Sequence, residues 1–195
     1  MQFLSSYAAA LNFISACWGL FVVLWVFAAA STKRTIYRET TLSRLRYIVL
    51  LLAGYLITVY ARRLPYPLKI RIVPSSPYIA WAAAGLCTAG LLFALWARAT
   101  LGRNWSGIVT LKQDHELIER GPYALVRHPI YTGLLVMFLG TAIALGRLGG
   151  FIGVALVFFS FWIKLRDEER LMLSQFSDAY GDYQRRVKRL VPFIL

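Results

Sequence analysis

From Asn12 to Ala30 the chain carries no charged residue, and four more apolar runs follow: Leu45–Ala61, Tyr78–Ala97, Ile130–Gly146 and Leu148–Ile163. A stretch of this kind approaches the ~20 residues needed to cross a ~30 Å hydrocarbon core as a helix. Inside lipid every backbone N–H and C=O must find a partner within the segment, which leaves the helix as the local structure. These runs predict an all-α fold, a polytopic membrane helical bundle with five transmembrane helices. Leu45–Ala61 is short, and its flanking arginines have to snorkel toward the headgroups. No basic segment precedes the first run, so it is read as a retained span, although Ala28-Ala29-Ala30 resembles a cleavage site.

Composition narrows the class further. The chain is 58% hydrophobic with a net charge of +13 over 195 residues, and its mean hydropathy is +0.57. Basic proteins often bind nucleic acid, but here Lys and Arg sit between apolar runs, where they face anionic headgroups. Nucleic acid is therefore not an expected partner; membrane lipids are. Cys17 and Cys87 lie inside apolar runs and read as small core residues. With them, His115 and His128 do not complete a zinc shell, so no metal is expected.

The segments between the runs differ in character. Arg62-Arg63 is followed by Pro65, Pro67, Pro74 and Pro77, which disfavour a helix. The stretch from Arg98 to Arg127 is polar yet holds Trp105, and Ile108–Leu111 predicts an extended, half-buried segment across the helix ends. Little more than Arg147 separates the last two runs, so they form an antiparallel hairpin, with Gly133, Gly140, Gly149, Gly150 and Gly153 permitting close backbone approach. Beyond Lys164, residues Leu165, Met172, Phe176, Tyr180, Tyr183 and Val187 mark one face of an amphipathic helix reaching about Leu190. Glu168 lies one turn before Met172 and shares that face. The expected division is three transmembrane helices in 1–100, then a cofactor loop, a helical hairpin and a C-terminal catalytic helix in 101–195, all in one integrated membrane domain.

Five basic residues (Arg62, Arg63, Lys69, Arg71 and Arg147) fall on one side of such a bundle, leaving seventeen of the twenty-two on the other. The richer side should be cytoplasmic, with the N-terminus outside.

Two groups of residues on that richer side carry chemistry. The first is Gly121–Gly133, where Arg127-His128-Pro129 enters a helix. The residue before a proline is pushed toward extended angles, and Pro129 suits the first helical position. Free N–H groups beside two cationic side chains then offer a site for a carboxylate. The same residues would also serve as plain headgroup anchors. The second group is Glu168-Glu169, either a solvated helix segment or a carboxylate pair that needs a positive partner. A ligand with both a carboxylate and a positive charge satisfies both groups, and S-adenosyl-L-methionine is such a ligand.

At these residues the chain resembles the isoprenylcysteine carboxyl methyltransferase family. The matching pattern is His115-x-Leu117-Ile118-x-x-Gly121-x-Tyr123, then Arg127-His128-Pro129-x-Tyr131-x-Gly133. A second block follows: Glu168-Glu169-x-Leu171, with Phe176, Tyr180, Tyr183, Val187, Arg189 and Pro192. The resemblance covers the chain from Leu101 onward and implies a membrane methyltransferase that uses S-adenosyl-L-methionine. It implies cofactor contacts from His115, Glu116, Leu117, Ile118, Tyr123, His128, Pro129, Ile130, Tyr131, Glu168 and Glu169. It gives catalytic roles to Arg127 and Glu168, with Arg127 holding the acceptor carboxylate and Lys164 or Arg166 touching the substrate. The acceptor it implies is a prenylated or other lipid-like small molecule or peptide. Arg-His-Pro-x-Tyr also resembles segments of phospholipid methyltransferases and sterol reductases, so a lipid amine is a second acceptor class. A non-catalytic lipid-binding protein is a third reading. No Gly-x-Gly-x-x-Gly follows a strand, which excludes a soluble Rossmann-type methyltransferase.

Overall fold

The computed structural model describes residues 2–29, 35–38, 40–105, 109–112 and 117–194. Its helices are α1 (Gln2–Ala29), α2 (Thr41–Tyr60), α3 (Pro77–Leu101), α4 (Pro129–Leu145) and α5 (Leu148–Arg186). The chain is an all-α membrane bundle, to which one small antiparallel ribbon is added. In the ribbon β1 (Thr35–Arg38) pairs with β2 (Thr110–Lys112), joining the two basic connections at one end of the bundle. The extended segment expected near Ile108–Leu111 overlaps β2; its partner strand was not foreseen, because the Thr35–Arg38 stretch has no alternating apolar pattern.

Among the described residues four helices are long and apolar enough to cross a membrane, and the run expected as the fourth span is the exception. That run is α4, whose 17 residues extend only about 25 Å at ~1.5 Å per residue. Its start is fixed by Pro129 at the first helical position and its end by Gly146 in the left-handed region (φ +68°). By contrast, α5 runs for 39 residues, about 58 Å, so nearly half of it projects beyond a ~30 Å core. The fifth apolar run and the amphipathic helix are thus one element, broken only at Ser177 (φ +41°) and ending at Arg186, one turn before the expected limit.

The helices pack as a curved row in the order α1, α3, α4, α5, α2. Glycines make the closest approaches, but not chiefly within the α4–α5 hairpin. A Cβ on Gly133 would lie 2.6 Å from the Gly90 carbonyl oxygen of α3, and one on Gly54 of α2 would lie 2.7 Å from that of Gly153 in α5. Of the five hairpin glycines, Gly150 is the one whose Cβ would meet the partner helix, at Ala142. The reason is connectivity: a tight turn already holds α4 beside α5, and small residues serve where helices distant in sequence must touch. At the turn end Tyr7 donates to the Ala144 carbonyl (2.6 Å), and Leu148 N–H donates to that of Ile70 (2.9 Å). At the opposite end the row encloses a cavity.

Candidate active site

Arg127-His128 is gripped from behind by the segment that follows α5. Val126 forms a parallel bridge with Lys188, and the N–H groups of Arg127 and His128 donate to the carbonyls of Lys188 (2.7 Å) and Arg189 (3.0 Å). Thr132 Oγ1 adds a bond to the Leu190 carbonyl at 2.8 Å. This short segment pairs through its backbone, which leaves no side-chain pattern to read.

Behind the motif lies a buried charge cluster. Arg127 Nε and Nη2 both donate to Glu169 Oε1, at 2.9 and 2.6 Å, while its Nη1 donates to the carbonyls of Gln184 and Val187. His128 Nε2 lies 3.3 Å from the same Glu169 oxygen, and Arg189 Nε reaches Oε2 at 2.9 Å. Glu169 is 3% exposed. Three cationic or potentially cationic side chains around one buried carboxylate offset the cost of removing it from water. The fork of Arg127, expected to hold an acceptor carboxylate, is already directed at Glu169. Likewise Glu169 points toward Arg127 and Arg189 and does not line the cavity.

Glu168 faces the other way, into a cavity of about 500 Å³. Its Oε1 accepts from the Tyr131 hydroxyl at 2.6 Å, its Oε2 lies 3.6 Å from His128 Nδ1, and Lys164 Nζ stands 3.9 Å from Oε1. The rings of His128, Tyr131 and Phe161 stack in succession, with centroids 5.6 and 4.8 Å apart. Lys164 Nζ lies over the rings of Tyr47 (5.4 Å) and Tyr131 (5.5 Å). Burial pushes the Tyr123 hydroxyl far above the ordinary phenol range, and the charge of Glu168 adds to the shift; Tyr123 therefore stays a neutral group on the wall.

The cavity brings together most of the residues that the motifs singled out. Leu117, Ile118, Tyr123, Arg127, His128, Ile130, Tyr131, Lys164 and Glu168 line it, and Met172, Tyr180 and Tyr183 close it from the α5 face. Pro129 starts α4 without lining the cavity. Arg166 is exposed and does not line the cavity, because two residues along a helix turn a side chain about 200° away from Lys164. His115 and Glu116 lie outside the described residues.

Sequence reasoning missed the apolar half of the wall. Trp18, Phe21 and Trp25 of α1, Leu51, Leu52 and Tyr55 of α2, and Phe138 of α4 continue the cavity away from Glu168. Leu52 and Tyr55 are 54% and 47% exposed, so this half reaches the outer, lipid-facing surface of the bundle. A run of apolar residues in a spanning helix looks the same whether it meets lipid, protein or a ligand, and the three N-terminal helices had seemed purely structural.

Such a site defines a class: an integral membrane protein with a cavity that is polar at the bundle end and apolar between its helices. A family model, "Phospholipid methyltransferase", matches residues 78–179, and the chain belongs to that family. The protein-S-isoprenylcysteine O-methyltransferase of Schizosaccharomyces pombe is 34% identical over 116 residues, covering 58% of this chain and 49% of the relative. That of Saccharomyces cerevisiae is 37% identical over 103 residues, covering 50% and 42%. A solved eukaryotic intramembrane Ras methyltransferase, isoprenylcysteine carboxyl methyltransferase, superposes with a TM-score of 0.54 at 27% identity, covering 76% of this chain and 53% of that one. The chain spans about half the length of the curated relatives it matches.

Proposed function

We propose that the chain is an S-adenosyl-L-methionine-dependent membrane methyltransferase that esterifies the carboxylate of a prenylated or other lipid-like acceptor. The observation that carries this reading is the continuity of the cavity, from Glu168, His128 and Lys164 at one end to the α1–α2 aromatic wall at the other. A soluble acid would have no use for the second half; a long hydrocarbon tail would fill it, each buried CH₂ contributing about 0.8 kcal/mol. The names of the relatives support the same acceptor class.

The residues present suit the cofactor. A volume of about 500 Å³ falls in the ordinary range for a small-molecule site, and a carboxylate, Glu168, stands on its wall beside His128. When bound, the cofactor supplies an electrophilic methyl group on a sulfonium sulfur. Glu168, fixed by the Tyr131 hydroxyl, binds a positive group of the cofactor, and the stacked His128–Tyr131 pair forms the floor on which it is oriented. Lys164 sits where the polar and apolar halves meet and draws the acceptor carboxylate into line. An acceptor carboxylate, with a reference pKa near ~4, is already ionised at neutral pH, so no general base is needed. Alignment and exclusion of water are the protein's share of catalysis. Arg127 is a positioning residue that holds His128 through Glu169. The basic asymmetry of the connections supports placing this end in the cytosol, with the N-terminus outside.

Matched thioether acids, S-farnesyl and S-methyl 3-mercaptopropionate, test the reading with purified full chain. Methylation of the farnesyl acid alone supports it; equal turnover of both would remove the role of the apolar half. The family description favours weighing a lipid amine as the second acceptor class.

A further inference from the structure

We propose that Asn104, a residue outside every matched motif, is a direct contact for the methyl donor, its carboxamide oxygen accepting an N–H from one of the donor's amino groups. The proposal rests on the reading of the cavity as a methyl-donor site. Asn104 lines the cavity and is 8% exposed, yet its Oδ1 has no hydrogen-bond partner among the described residues. Buried acceptors in a folded protein are ordinarily satisfied, and one left orphaned on a cavity wall calls for a donor from whatever fills the cavity.

The turn that carries it is built to hold it still. Arg98 donates from Nη1 to the Gly102 carbonyl (2.7 Å) and from Nη2 to that of Ala28 in α1, tying the ends of α1 and α3 together. Its guanidinium lies 4.7 Å from the ring of Trp105, which packs edge-on to Trp25 at 5.3 Å. Gly102, at φ +54°, turns the chain out of α3, and its own N–H caps the Arg98 carbonyl. Asn104 is thus presented from a rigid 3₁₀ turn, the arrangement expected of a binding residue rather than a loop polar group.

Chemistry selects the donor molecule over the acceptor. The reacting carboxylate of an ester-forming acceptor would be repelled by Oδ1 and its hydrocarbon tail brings no N–H, so an amide N–H elsewhere on the acceptor is the one rival, which the acceptor KM reads out. S-adenosyl-L-methionine and its product carry two amino groups each. The same cavity wall offers Glu168 to one of them, and Oδ1 can accept from an N–H that Glu168 leaves unused.

Titration of S-adenosylhomocysteine into the detergent-solubilised full chain tests this. Asn104→Leu keeps the size and removes the acceptor; Asn104→Asp keeps the acceptor. The expected result is a Kd raised about tenfold in Asn104→Leu and within about threefold of the parent in Asn104→Asp. The acceptor KM at saturating donor should stay unchanged in both. Asn104→Leu binding as tightly as the parent, both variants weakened alike, or a rise confined to the acceptor KM would each overturn the contact. A parent chain that binds no S-adenosylhomocysteine would overturn the methyl-donor reading itself, and the contact with it.

Discussion

Arg127 and Glu169 are joined by two hydrogen bonds to a single carboxylate oxygen, at 2.9 and 2.6 Å, with both side chains buried. The pair links the start of α4 to the second half of α5, and Arg189 extends it to the final segment. The residue type that best grips a carboxylate bidentately is here used on an internal carboxylate. What faces the cavity is the outer layer, His128 and Glu168, packed on this inner layer.

Arg127→Ala leaves Glu169 buried with two of its hydrogen bonds gone, a change that costs about 3 kcal/mol or more. Its melting temperature in detergent should fall by several degrees, with Arg127→Lys intermediate because lysine keeps charge but not the fork. An Arg127→Ala protein as stable as the parent would show that the pair is not structural.

Tyr131→Phe removes the 2.6 Å bond to Glu168 and keeps the ring stack with His128 and Phe161. The loss corresponds to about 0.5–1.5 kcal/mol, so affinity for S-adenosylhomocysteine should drop roughly two- to tenfold. Thermal stability should hardly move. A large stability loss with unchanged affinity would contradict the assigned role.

Lys164→Met retains much of the side-chain length and removes the cation. Turnover should fall about tenfold or more, the equivalent of ~1.4 kcal/mol lost in the transition state. The Kd for S-adenosylhomocysteine should change by less than about threefold. Parallel titration and steady-state rates separate the two effects; full activity would remove Lys164 from the site.

Gly133→Val places branched bulk where even a Cβ would stand 2.6 Å from the Gly90 carbonyl oxygen. Pushing α3 and α4 apart should destabilise by about 1–3 kcal/mol. Gly19→Val in α1 has nothing within 4 Å of its Cβ and serves as the control in the same unfolding series. Equal behaviour of the two would argue against tight α3–α4 packing.

The membrane bundle and the motif half of the site were legible because their signals are local. Apolar runs report spans, Pro129 reports a helix start, and the spacing of Glu168 and Met172 places both on one face. Neighbouring acids were harder: Glu168 and Glu169 look alike in sequence, yet 100° of helix rotation sends one to the cavity and the other to Arg127. Arg127 illustrates the same limit, since nothing local distinguishes a fork that meets a ligand from one that meets a glutamate 42 residues away. The apolar wall and the orphan acceptor of Asn104 depend on how α1, α2 and α3 curve around α4, a relation between segments that no single segment encodes.

The most direct test of carboxyl methylation is the chemistry of the product. Membranes containing the chain are incubated with methyl-labelled S-adenosyl-L-methionine, and the extracted lipids and proteins are treated with base. A methyl ester releases its label as volatile methanol; most of the label incorporated above control membranes should leave in this way, and a Lys164→Met chain should incorporate little. Label that stays bound through base treatment, as on a methylated amine, would contradict carboxyl methylation.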